Sequence, residues 1–118
     1  MQIMKIGIIG LGLMGGSFAL DIKSIYPNSK IYGSDISKKN QERAIALELI
    51  DEVIDLREFY KMDIILVSIP VDKSIYVITK ILDIINKKTL VFDVGSTKDP
   101  ICKSLSNHPN RGNFLASH

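Results

Sequence analysis

The stretch Lys5-Ile6-Gly7-Ile8-Ile9-Gly10-Leu11-Gly12-Leu13-Met14-Gly15-Gly16 constrains the fold more than any other, because an apolar strand runs directly into three glycines spaced G-x-G-x-x-G. A strand that ends at Ile9 must turn sharply, and Gly10 supplies a backbone free to enter conformations that a side chain forbids. Gly12 leaves no side chain between the chain and an approaching diphosphate. Gly15, already in the first turn of the next helix, lets that helix lie close on the strand. The N–H groups of this turn, those of Leu13 and Met14 among them, have no partner inside the helix and face outward. The product is an anion site made of backbone, spanning Gly10, Gly12, Leu13, Met14 and Gly15.

Spaced glycines also serve purely structural turns, so the flanking pattern decides between the two uses. Here an apolar segment follows over residues 14–25 until Pro27 stops it, and a second strand over 30–34 ends at Asp35, twenty residues after Gly15. A carboxylate at the tip of that strand is placed to accept hydrogen bonds from the ribose hydroxyls of an adenine dinucleotide and to repel a 2′-phosphate. Strand, turn, helix and acid together predict a dinucleotide site that takes NAD in preference to NADP. Lys38 and Lys39 lie just beyond the acid, where they either offset part of that repulsion or simply open a solvated helix.

At 118 residues the chain is long enough for one domain, 1–118, with a real core. A formal net charge of +2 and the lack of a basic run interleaved with aromatics speak against nucleic acid as a partner. The apolar runs are strand-sized and broken by glycine or charge, so neither a membrane span nor a cleavable signal is expected, and a cytoplasmic location is. No metal site is called for. The single cysteine, Cys102, excludes an intrachain disulfide and reads as a small buried hydrophobe.

In chain order, Tyr26-Pro27-Asn28-Ser29 forms the turn into the second strand. Ser37 caps a helix that runs to about Leu49, with Ala44, Ile45, Leu47 and Leu49 available for its inner face and Glu42 and Arg43 outside. Val53-Ile54 makes a short third strand near an edge. Residues 63–68 read D-I-I-L-V-S, a continuous apolar strand to be covered on both faces. Asp72 is placed to cap a helix whose Ile75, Ile78, Leu82 and Ile85 form one buried stripe. Asn86-Lys87-Lys88 turns the chain into a strand over 89–93. Asp99-Pro100 starts a short helix closed by Leu105, and Phe114-Leu115-Ala116 is a last strand aimed at Ser117 and His118. This alternation predicts an α/β fold, a Rossmann-type doubly wound parallel sheet of order 3-2-1-4-5-6, with ligands outside the carboxyl ends of its strands.

Five polar clusters fall at that edge: the glycine turn, Asp35, Ser68 with Pro70, Gly95 with Ser96, and His118. His118 reads either as a general base near the nicotinamide or as a surface histidine. Ser96 reads as a hydrogen-bond donor to cofactor or substrate, or as a turn serine capping the next helix. Asp93 orients the loop that holds it, and His108 reads as an exposed loop residue.

A family resemblance bears on these alternatives. The sequence resembles prephenate dehydrogenases in its opening from Lys5 to Ser17, in Val67-Ser68-Ile69-Pro70-Val71, in Asp93-Val94-Gly95-Ser96-Thr97-Lys98 and in Phe114-Leu115-Ala116-Ser117-His118. The opening is shared with many dehydrogenases, whereas the glycine-serine-x-lysine loop followed by a strand ending in histidine is more particular. The resemblance implies an NAD-dependent enzyme that oxidatively decarboxylates prephenate to 4-hydroxyphenylpyruvate in tyrosine biosynthesis. By the same resemblance Ser96 and His118 are catalytic, while Gly10, Gly12, Leu13, Met14, Gly15, Asp35, Ser68, Ile69, Pro70, Gly95 and Ser96 hold the cofactor. Family members continue from the histidine into a helical domain that dimerises and supplies the main clamp for the substrate's two carboxylates. Of Arg43, Arg57 and Arg111, only Arg111 lies near the expected edge, so these 118 residues are expected to bind NAD with little or no turnover. Rival expectations are an arogenate dehydrogenase, a β-hydroxyacid-type dehydrogenase or imine reductase that would need a catalytic lysine from another domain, and a non-catalytic NAD-sensing or interaction module.

Overall fold

The computed structural model describes residues 3–86, 88–93 and 114–116. Strands β1 (Lys5–Ile9), β2 (Lys30–Ser34), β3 (Glu52–Val53), β4 (Ile64–Val67), β5 (Leu90–Asp93) and β6 (Phe114–Ala116) form one sheet in the order β3-β2-β1-β4-β5-β6. Every pairing is parallel. The register sets Ile9 beside both Ser34 and Val67, and Val67 beside Asp93, so four strands end level with one another. Helices α1 (Leu13–Ile25), α2 (Lys38–Ala46) and α3 (Val71–Ile84) fill the crossovers, with a 3-10 helix at Leu56–Lys61. This is the Rossmann-type arrangement expected from the alternation of strands and helices.

The core divides by the two-residue period of the strands. Ile8 and Ile31 pack with Leu11, Ala19, Ala44 and Ile50 on the side of α1 and α2. Ile9, Ile65, Val67 and Val91 pack with Phe59, Met62, Ile78, Ile81, Leu82 and Ile85 on the side of α3. Leu66, between Ile65 and Val67, is partly buried against the first cluster, so β4 is covered on both faces as its continuous apolar run predicts. Burying side chains of this kind stabilises by about 1.5–3 kcal/mol each. Gly7 has a packing reason of its own: a Cβ there would sit 2.6 Å from the fully buried Phe59 ring, so the ring can come this close to β1 only because the side chain is missing.

Three local expectations need correction. Helix α2 stops at Ala46 rather than near Leu49, because Glu48 takes a left-handed conformation (φ 58°). The Leu49 N–H donates to the Ala44 carbonyl and the Glu48 N–H to the Ile45 carbonyl, which satisfies the last acceptors and ends the helix. Ala44 is buried and Leu49 half-buried, but Ile45 and Leu47 face solvent. Asp72 does not cap α3: Pro70 holds the cap position, without a side-chain bond, and Asp72 is already the second helical residue. The predicted stripe of α3 does form, with Ile75 half-buried and Ile78, Leu82 and Ile85 buried, and Ile81 joins it. The 3-10 helix, absent from the sequence reading, is capped by Asp55, whose carboxylate accepts the Arg57 N–H, and carries Phe59 inward. Ser37 caps α2 as expected, its hydroxyl accepting the Asn40 N–H at 3.2 Å. The loop and helix expected over 94–113, with Cys102, His108 and Arg111, lie outside the described residues. Among the described residues no helix is long and apolar enough to cross a membrane.

Candidate nucleotide-binding site

Three loops leave the carboxyl edge side by side: the glycine turn after β1, the acid after β2 and the Ser68-Ile69-Pro70 segment after β4. Gly10 has φ +97°, a left-handed value, and a Cβ there would run into the Ser68 carbonyl. Two requirements therefore fall on one residue. The Gly10 N–H donates to the Ser34 carbonyl at 2.8 Å and the Ser68 N–H to the Ile9 carbonyl at 2.7 Å, so the three loops are bonded to one another where they begin.

Gly15 works at the opposite side of the turn, where a Cβ would collide with the Gly10 carbonyl oxygen. Its absence lets α1 start directly against the end of β1. Gly12 is different: a Cβ there would meet nothing within 4 Å, so the structure itself has no packing need for glycine at that position. The space over Gly12 is open. The first helical bond runs from the Gly16 N–H to the Gly12 carbonyl at 2.9 Å, which leaves the N–H groups of Leu13, Met14 and Gly15 without a partner inside the helix. The first turn of α1 carries no acid, so the positive end of the helix dipole is not cancelled there.

Asp35 turns toward this bend. Its Oδ2 accepts the Leu11 N–H at 2.6 Å and the Asn40 amide at 3.2 Å, and its Oδ1 accepts the Ser37 N–H at 2.7 Å. The Gln41 amide donates to the Asp35 carbonyl. Among the described residues no lysine or arginine forms an ion pair with Asp35. Its carboxylate is held by neutral donors.

A cavity of about 420 Å³ opens over these groups, in the range of small-molecule sites. Gly10, Gly12, Asp35, Ser68, Ile69 and Pro70, all singled out from the sequence, line it. It also takes in residues that sequence reasoning passed over: Ile36, 92% exposed at the mouth, Asn40, Leu56, Val77 and Lys73. Ser74 was missed as well. Fully buried, it donates its hydroxyl to the Ile69 and Pro70 carbonyls, both at 3.1 Å, and so fixes the loop after β4. Asn40 and Ser74 had a weak signal in the sequence, each a small polar residue in the opening turns of a helix next to a strand end. Gly95, Ser96 and His118 lie outside the described residues; Asp93, which precedes that loop, is fully buried at the end of β5.

Residues 18–118 match the family model described as the nucleotide-binding domain of prephenate dehydrogenase. The chain belongs to that family. The prephenate dehydrogenase nucleotide-binding match begins after the glycine turn, so the geometry of residues 10–16 is independent support for the same reading. Prephenate dehydrogenase of Bacillus subtilis (strain 168) is 31% identical over an alignment 115 residues long that covers 94% of this chain and 31% of that protein. The chain thus spans about a third of the length of that relative. The crystal structure of prephenate dehydrogenase from A. aeolicus in complex with hydroxyphenyl propionate and NAD+ superposes with a TM-score of 0.88 at 30% identity, covering 100% of this chain and 42% of that one. Synechocystis arogenate dehydrogenase superposes with a TM-score of 0.85 at 28% identity, over 98% of this chain and 40% of that one.

Proposed function

We propose that this chain binds NAD along its carboxyl edge as the nucleotide-binding part of an NAD-dependent prephenate dehydrogenase. The observation that carries the reading is the Asp35 carboxylate, bonded at 2.6 Å to the main chain of the glycine bend and lining the same cavity as Gly12. The groups present fit a dinucleotide: an open approach over Gly12, unpaired N–H donors at the start of α1 for the diphosphate, and an unneutralised acid for the sugar diol. Ile36, Leu56, Ile69 and Val77 offer apolar surface to a flat base. When bound, NAD supplies the hydride acceptor.

His118 takes the proton of the ring hydroxyl and Ser96 hydrogen-bonds beside it. Removing that proton raises electron density at the same carbon, which releases hydride while the ring carboxylate leaves as carbon dioxide and the ring becomes aromatic. The two carboxylates of prephenate call for paired cations, which a helical domain outside these 118 residues supplies; the same domain makes the whole enzyme a homodimer of the cytoplasm. A second reading, oxidation of arogenate, is favoured by the likeness to the Synechocystis enzyme.

Titration of the chain with NAD and NADP tests the cofactor. Tighter binding of NAD is expected, and NADP binding at least as tightly overturns the assignment. Steady-state assays with prephenate and arogenate then test the chemistry. The 118 residues alone are expected to reduce NAD with prephenate far more slowly than a full-length relative, and a comparable rate would overturn that expectation.

A further inference from the structure

In the usual capping box, a glutamate or glutamine three residues beyond the cap reaches back to the N–H of the capping residue. Here that N–H, from Ser37, goes to Asp35 Oδ1 at 2.7 Å, so an acid from before the helix has taken over the task. The third helical position holds Asn40, whose main-chain N–H is satisfied by the Ser37 hydroxyl at 3.2 Å. Its side-chain amide is thereby released from capping and donates to Asp35 Oδ2, also at 3.2 Å. The amide oxygen accepts from the Arg43 guanidinium at 3.4 Å, which fixes which end of the amide faces the carboxylate. A glutamate at this place would set two carboxylates against each other.

The donors are shared unequally between the carboxylate oxygens. Among the described residues Oδ2 receives two hydrogen bonds, from Leu11 and Asn40, and Oδ1 receives one, from Ser37. An ionised carboxylate oxygen has two acceptor positions, so Oδ1 is the oxygen with a place left for a sugar hydroxyl. We propose that Asn40 is a positioning residue for nucleotide selection: it fills the second acceptor place on Oδ2, locks the rotation of the Asp35 carboxylate and so presents Oδ1 to the ribose diol of NAD. Asn40 acts through Asp35 and not on the ligand. This inference rests on the NAD reading above.

The test is a double-mutant cycle on binding of NAD and NADP, measured by titration calorimetry, with a thermal midpoint for each protein. Asn40→Ala should weaken NAD by about three- to tenfold, the size of one ordinary hydrogen bond because Asn40 acts on the ligand only through Asp35, and leave NADP nearly unchanged, so that the preference for NAD shrinks. In an Asp35→Ala background the same substitution should have no further effect on NAD. Asn40→Asp replaces the donor by an acceptor of the same shape, suits a helix start, and should weaken NAD at least as much. Equal losses for both nucleotides, an undiminished loss without Asp35, or an unchanged preference in Asn40→Asp would each overturn the proposal. Failure of the unmodified chain to bind either nucleotide would instead overturn the NAD reading itself.

Discussion

Two aspartates, one at each end of the same sheet, show how this fold separates support from function. At the amino end Asp51 accepts the Ile31 N–H at 2.8 Å and pairs with Lys23 at 3.0 Å, tying the start of β2 to α1. At the carboxyl end Asp35 also accepts main-chain N–H groups, but its partners are neutral and it lines a cavity. Both acids organise backbone. Asp51 has a lysine partner within the protein, whereas among the described residues Asp35 has neutral donors only, and that difference separates an acid paired in place from one left facing a cavity.

The sharpest way to break the comparison lies in the glycines beside Asp35. Gly15→Val drives a side chain into the Gly10 carbonyl, and should cost more than about 3 kcal/mol in urea unfolding, beyond ordinary overpacking because a backbone atom stands in the way. Gly12→Ala meets open space, so its unfolding free energy should stay within about 1 kcal/mol of the parent, while NAD affinity falls at least about tenfold. A Gly12→Ala protein that still binds NAD normally would show that the diphosphate does not pass over this bend. Asp35→Ala should weaken NAD by about tenfold and relax the discrimination against NADP.

Asp51 should behave in the opposite way. Asp51→Ala is expected to cost about 1 kcal/mol of stability, reduced from the usual value for a charged hydrogen bond because the pair is a third exposed, with no change in nucleotide binding. Partial burial pushes the Asp51 carboxyl up, but the Ile31 N–H, the Lys23 hydrogen bond and the charges of Lys23 and Lys30 together hold it below the usual carboxylate range. Its contribution is therefore complete above about pH 4, where an unfolded aspartate is ionised, and is lost as pH falls through the lower native value. The acid limb of a stability curve should flatten in Asp51→Ala. Smallest of all, Arg57→Ala removes an ion pair to Asp55 whose arginine is 89% exposed, and should leave the thermal midpoint unmoved.

What was legible in the sequence is what short-range chemistry dictates. The bounds of β1 and β2, the glycine turn and the acid after β2 could all be read because each is fixed within a few residues by apolar alternation, glycine or a strand end. The end of α2 was not legible, since a left-handed Glu48 carries no glycine to announce it. The 3-10 helix was hidden because Phe59 owes its place to Gly7, fifty-two residues earlier. Within the site, Asp35 was visible from spacing, while Asn40 and Ser74 gave only a weak signal, because their roles depend on which carbonyl or carboxylate the fold brings near. Lys73 carried no signal in the sequence, yet it lines the cavity.

The way Gly10 is wedged beneath the Ser68 carbonyl and bonded to Ser34 makes the three connecting segments one mechanical part. Exchanging any single segment with that of another enzyme, to change which coenzyme is accepted, would import a piece cut to fit different neighbours. Coenzyme choice in this domain should therefore be re-engineered by transplanting all three segments together, with Ser74 and Asn40 carried along as their fasteners.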